Sequence, residues 1–113
     1  DRMQYYCGKF FDYIYKSKYE EAYKLLNSDF KSNYFPTEEK FEEYIENAFP
    51  SFYGIYYDDI SRQGDLYVLR LKIVDFTNVG ESSNEADNKE EIIQRVVIRE
   101  NYYNDFEMSF QVK

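Results

Sequence analysis

The hydrophobic pattern of this chain changes its period at Pro50. Before Pro50, large apolar side chains recur every three or four residues, as they do on one face of an α-helix. After Pro50, apolar and polar side chains alternate, as they do in a strand with one buried face. A helical half followed by a strand half predicts an α+β fold, in which the helices cover one face of an antiparallel sheet.

The first half of the chain predicts three amphipathic helices. Their apolar stripes are Met3, Tyr6, Phe10, Tyr13 and Ile14; then Tyr19, Ala22, Tyr23, Leu26 and Phe30; then Phe41, Tyr44, Ile45, Ala48 and Phe49. Ser17 and Glu20 have the spacing of a capping box, which predicts that Ser17 starts the second helix. Thr37 is the predicted cap of the third helix, because Glu38 and Glu39 follow it in the first turn, where the helix dipole favours negative charge.

The second half predicts four antiparallel strands. They span residues 52–60, 66–76, 91–100 and 105–112, with turns at 61–65 and 101–104 and a polar, acidic loop at 77–90. Gly54 is a candidate β-bulge in the first strand. In the last strand, Phe106, Met108, Phe110 and Val112 share the face that we expect to be buried. The expected fold is therefore a single domain over residues 1–113, with three N-terminal helices packed on a four-stranded antiparallel sheet.

The composition excludes several classes of function. A formal net charge of −8 argues against nucleic acid and against anionic membrane surfaces, since both need a basic partner. The chain has no histidine, which excludes a Ser-His-Asp or Cys-His catalytic site and histidine-ligated metals. Cys7 is the only cysteine, which excludes an internal disulfide; it is interpreted as a small buried hydrophobe, with an intermolecular bridge as the alternative. We predict no cofactor and no metal site.

Carboxylate and phenol chemistry remains open. Asp75 could act as a base at the end of its strand, with Tyr13 stabilising an oxyanion, but a solvated strand end and a core tyrosine explain the same residues. A row of glutamates follows the third helix, and it is interpreted as a solvated helix face rather than a docking or calcium site. Its members are Glu38, Glu39, Glu42, Glu43 and Glu46.

Tyrosines are in surplus at the predicted strand ends and turns. Exposed tyrosine is enriched at protein interfaces, so five of them are candidate interaction residues. They are Tyr53, Tyr56, Tyr57, Tyr102 and Tyr103. The alternative is that a small domain poor in leucine uses these rings in its core.

Two segments carry a resemblance to the NTF2-like superfamily. Residues 10–35, FFDYIYKSKYEEAYKLLNSDFKSNYF, resemble its opening helix pair, and residues 96–110, VVIRENYYNDFEMSF, resemble its closing hairpin. The resemblance implies a cone of helices wrapped by a curved sheet. It is nearest to small extracytoplasmic domains of Gram-positive membrane-anchored proteins, including VirB8-like and TcpC-like components of conjugation machinery. Such domains act in assembly rather than catalysis. The acid and base groups of the enzymes in this superfamily have no matching residues here, so none is carried over.

Two hypotheses for function follow. The first is a non-catalytic interaction or assembly domain that binds a protein partner or itself. It would lie outside the cell, on a membrane anchor that would precede Asp1. Within this chain, no run of about 18 apolar residues is present that could span a membrane. The second is a small-molecule or enzymatic pocket that uses Asp and Tyr. The interior discriminates between them, because a cone filled by apolar side chains leaves no room for substrate. The side chains expected to fill it are Phe10, Phe30, Phe41, Leu69, Leu71, Phe106, Met108 and Phe110.

Overall fold

A computed structural model describes residues 2–77, 90–101 and 105–113. In these residues, four helices precede four strands. The helices are α1 (Arg2–Tyr15), α2 (Tyr19–Lys24), α3 (Ser28–Tyr34) and α4 (Glu38–Ala48), and the strands are β1 (Tyr53–Gln63), β2 (Leu66–Asp75), β3 (Glu91–Glu100) and β4 (Phe106–Phe110). The sheet is an antiparallel meander in the order β1-β2-β3-β4, which confirms the predicted α+β class. Most of the predicted acidic loop and of the 101–104 turn lies outside the described residues.

The prediction of a single second helix is wrong, because the chain leaves the helix at Leu25 and pairs with β4. The amide of Asn27 donates to the carbonyl of Met108 at 2.8 Å, and the amide of Met108 donates to the carbonyl of Leu25 at 3.0 Å. The Asn27 side chain then caps α3 by accepting from the amides of Asp29 and Phe30. The described chain therefore has four helices where three were predicted.

The predicted capping box at Ser17 is also wrong. Ser17 has a left-handed backbone, with φ of 59°. Its amide donates to the carbonyl of Ile14 at 2.9 Å, and the amide of Lys18 donates to Tyr13 at 2.7 Å. These two bonds form a Schellman motif, so Ser17 ends α1 instead of starting α2. The predicted cap at Thr37 is confirmed, since its hydroxyl accepts from the amide of Lys40 at 3.3 Å.

The first hairpin differs from its prediction in two details. β1 continues to Gln63, so the turn is shorter than residues 61–65 and centres on Gly64, which has a φ of 65°. The bulge lies at Asp58, where the register shifts between Tyr57 and Asp59. Gly54, the predicted bulge, instead pairs regularly with Val74.

The interior is filled by large side chains. All eight residues expected to fill it are buried, which confirms that prediction. The Phe110 ring lies at its centre, with ring centroids of five other aromatic side chains within 6.5 Å. Of the face predicted for β4, Phe106, Met108 and Phe110 are buried and Val112 is half-buried.

Candidate interaction surface

The predicted interaction tyrosines on β1 lie on opposite faces of the sheet. Tyr53 and Tyr57 point to the helix side, and the Tyr57 hydroxyl donates to the carbonyl of Gln4 on α1 at 3.1 Å. Tyr56 points to the uncovered side and is 53% exposed. The period of two in a strand separates neighbours in this way. Tyr102 and Tyr103 lie outside the described residues.

Four aromatic rings form a contiguous patch on the surface where α1 ends and β1 begins. We call this patch the aromatic edge, and it consists of Tyr15, Phe52, Tyr56 and Phe76. The rings of Tyr15 and Phe52 meet edge to face at 6.4 Å, and those of Phe52 and Phe76 at 6.2 Å. Phe52 is 53% exposed and Tyr15 51%. Exposed aromatic area of this kind marks an interaction site more often than scattered surface residues do.

Gly54 allows the Phe76 ring to pack closely against the sheet. A Cβ atom built on Gly54 would lie 2.5 Å from Cε2 of Phe76 and 3.4 Å from Cε2 of Tyr56. The absence of a side chain therefore lets the Phe76 ring lie over the backbone of β1, beside Tyr56. This close approach is the role of Gly54, in place of the predicted bulge.

Hydrogen bonds beyond the strand ends hold the aromatic edge in place. The amide of Phe76 donates to the carbonyl of Phe52 at 2.9 Å. The amide of Thr77 donates to the Asp75 carboxylate at 2.8 Å, and the Thr77 hydroxyl reaches the carbonyl of Phe52 at 3.5 Å. The backbone that carries two of the four rings is thereby fixed before any partner binds.

Asp75, the candidate base, accepts one of these hydrogen bonds, from the amide of Thr77. Hydrogen bonds from the Thr77 hydroxyl and amide lower the pKa of Asp75 below its usual value. A carboxylate with a lowered pKa is a weaker base, whereas a general base works best near neutral pH. Among the described residues no hydrogen bond joins Asp75 to Tyr13, which is half-buried against the core. The geometry thus gives Asp75 a structural task at the strand end.

Cys7 lies on α1 and is buried in the core, next to Tyr57 of β1. Burial raises the pKa of its thiol to about 12, so the thiol stays protonated at neutral pH. Only a thiolate is a good nucleophile. The side chain therefore serves as a small packing group.

Charges border the aromatic edge without entering it. Asp58, at the bulge, lies 3.4 Å from Arg70 and 3.8 Å from Lys72, and Lys72 pairs in register with Tyr56. The charged groups next to the exposed rings are therefore paired with each other. A polar rim around an apolar centre is the usual anatomy of a protein interface.

Sequence reasoning missed three members of this surface: Tyr15, Phe52 and Phe76. For Phe52 and Phe76, the available signal was the alternation of faces along a strand. Both residues have even numbers, whereas the buried stripe of β2 consists of odd-numbered residues, so the two rings belong to the opposite face. The meeting of Tyr15 with Phe52 had no sequence signal, because it depends on how α1 crosses the sheet.

Comparison with known protein families, with curated proteins and with solved structures found no match to this chain. Within the described residues, none of the helices has both the length and the apolar character needed to cross a membrane.

Proposed function

We propose that this chain is a non-catalytic protein-interaction domain and that it docks its partner through the aromatic edge. The observation that carries the proposal is the contiguity of Tyr15, Phe52, Phe76 and Tyr56 on the surface. Aromatic rings dominate the binding energy of protein interfaces, because they remove large apolar areas from water at a small cost in side-chain entropy.

The rigidity of the surface supports docking. Binding is weakened by every side chain or loop that must be ordered on association. Here the backbones of Phe52 and Phe76 are already joined by a hydrogen bond, and the Phe76 ring already packs against Gly54. The filled interior supports the same choice over a substrate-binding cone, since all eight side chains expected to fill such a cone are buried.

The wider assignment rests on the sequence resemblance. We propose that the helices and the sheet form an NTF2-like cone and that the domain acts in an assembly outside the cell, on a membrane anchor. Protease treatment of intact cells that make the full-length protein tests the location: an extracytoplasmic domain is digested without lysis. Protection until lysis would contradict it.

Site-specific crosslinking tests the docking surface. A photoreactive phenylalanine analogue at position 52 should crosslink the full-length protein to a partner or to a second copy, which mass spectrometry identifies. The matched control is position 34, where Tyr34 is 55% exposed but lies on α3. The identified partner is then purified and titrated by calorimetry.

Phe52→Ser and Tyr56→Ser should each weaken that affinity about tenfold or more, as hot-spot residues do, whereas Tyr34→Ser should leave it unchanged. Equal crosslinking at positions 52 and 34, or full affinity after both edge substitutions, would contradict the proposed surface.

A further inference from the structure

A second candidate site is a cavity beside the core, with Tyr53 in its wall. A cavity of about 280 Å³ opens between the end of α1, the start of α2, the end of α4 and the start of β1. Ile14, Ile45, Phe49 and Pro50 give it an apolar lining. The cavity combines apolar walls with a few polar groups, as ligand sites do, and it is slightly smaller than their usual range of about 300–1,000 Å³, which suits a small ligand.

Three tyrosine rings complete the walls. The rings of Tyr15 and Tyr53 meet edge to face at 5.6 Å, and the rings of Phe49 and Tyr53 stack at 6.1 Å. Tyr19 lines the same cavity from α2. Aromatic faces carry negative electrostatic potential, so a wall of this kind attracts a cation.

The Tyr53 hydroxyl is the polar group that the fold leaves unused. It is shielded from solvent and has no hydrogen-bond partner among the described residues. Burial and the neighbouring Tyr15 and Tyr19 raise the pKa of Tyr53 to about 12, so the phenol is neutral. Its oxygen can accept a hydrogen bond from a ligand once the ring shifts enough to expose it to the cavity. A buried hydroxyl without a partner destabilises the free protein, which a bound donor would relieve.

The charge of the cavity has one sign. Glu46 is the only charged residue among the described residues that line it. Glu46 and Tyr19 line the same cavity, and burial, followed by the charge of Glu46, raises the pKa of Tyr19. A neighbouring cleft shares Ser17 and Tyr19 with the cavity and adds Glu20, Glu21, Glu38 and Glu42, against one cation, Lys18. Anionic ligands are therefore disfavoured.

We propose that this cavity binds an organic ammonium ion. Its apolar body packs against Phe49 and the tyrosine rings, and its ammonium group donates to the Glu46 carboxylate and to the Tyr53 hydroxyl oxygen. The cavity shares Tyr15 with the aromatic edge, but Phe52, Tyr56 and Phe76 do not line it, so substitutions at Glu46 and Tyr53 test the cavity separately from the docking surface.

A series of matched ligands tests the chemistry. The probes are hexylamine, 1-hexanol and hexanoate, which share an alkyl chain and differ in charge. Calorimetric titration of the full chain should show hexylamine binding at least tenfold more tightly than hexanol, with no binding of hexanoate. Equal affinity for the amine and the alcohol, or no heat of binding with the amine at millimolar concentration, would overturn the proposal.

Single substitutions test the residues. Glu46→Gln should weaken hexylamine binding about tenfold and leave hexanol unchanged. Glu43→Gln is the matched control, since Glu43 is an exposed glutamate on the same helix that does not line the cavity, and it should bind the amine normally. Tyr53→Phe keeps the ring and should also weaken amine binding. Thermal melts establish that each variant is folded, and an unchanged amine affinity in folded Glu46→Gln would overturn the proposal.

Discussion

Two groups of aromatic rings in this domain have the same chemistry and opposite surroundings. The Phe110 ring is 6% exposed and is surrounded by other rings of the core, whereas Phe52 is 53% exposed in the aromatic edge. The first group removes apolar area from water on folding; the second leaves it available for a partner. Aromatic content alone therefore says little about function in this chain, and whether a ring lies in the core or on the surface decides its role.

Removal of a core ring should have the largest effect on stability. Phe110→Ala should lower the free energy of unfolding by about 3–5 kcal/mol, because it leaves a cavity among rings that have little room to collapse. Urea denaturation measures this loss. A loss below about 1 kcal/mol would mean that the core and edge rings do not differ as described.

A side chain at position 54 should displace the Phe76 ring of the aromatic edge. Gly54→Ala should cost about 1 kcal/mol, because the new Cβ would overlap the Phe76 ring and displace it. The matched control is Gly8→Ala in α1, where the new Cβ meets only the Tyr57 hydroxyl oxygen at 3.8 Å. That substitution should stabilise the helix by about 0.5–1 kcal/mol, since alanine has the higher helix propensity. Thermal melts that show the same sign for both variants would remove the proposed role of Gly54.

Removal of the Tyr53 hydroxyl should make the domain more stable. Tyr53→Phe removes a buried hydroxyl without a partner, so the free domain should become more stable by about 1 kcal/mol. Urea denaturation without ligand tests this. A loss of stability instead would show that the hydroxyl already has a partner in the folded chain.

Truncation of an edge ring should have the smallest effect on folding. Phe52→Ser should change the free energy of unfolding by no more than about 0.5 kcal/mol, as is usual for exposed positions. The same variant is the one expected to lose partner affinity. A strong destabilisation would place Phe52 with the core rings and would weaken the docking proposal.

Much of the fold was predictable from local patterns, and the failures have two causes, competition between local motifs and long-range pairing. The bounds of β3 and the cap at Thr37 follow from alternation and from short-range hydrogen bonding, both of which the sequence displays directly. Ser17 and Glu20 match a capping box equally well, yet Ser17 closes α1 because two competing local motifs share the same residue. Of the candidate site, Tyr56 was predicted as an interaction residue, and its partners in the aromatic edge were not.

The sequence by itself determined the class of fold and the buried face of β4, because a period of two or of 3.6 specifies which side chains point together. Only the tertiary structure decided where the second helix breaks, since Leu25 and Asn27 pair with Met108, about eighty positions further along the chain. It also decided that Tyr15 meets Phe52 and that Phe76 rests on Gly54. These contacts join elements whose relative placement depends on the packing of the whole core, and no local pattern of residues records that placement.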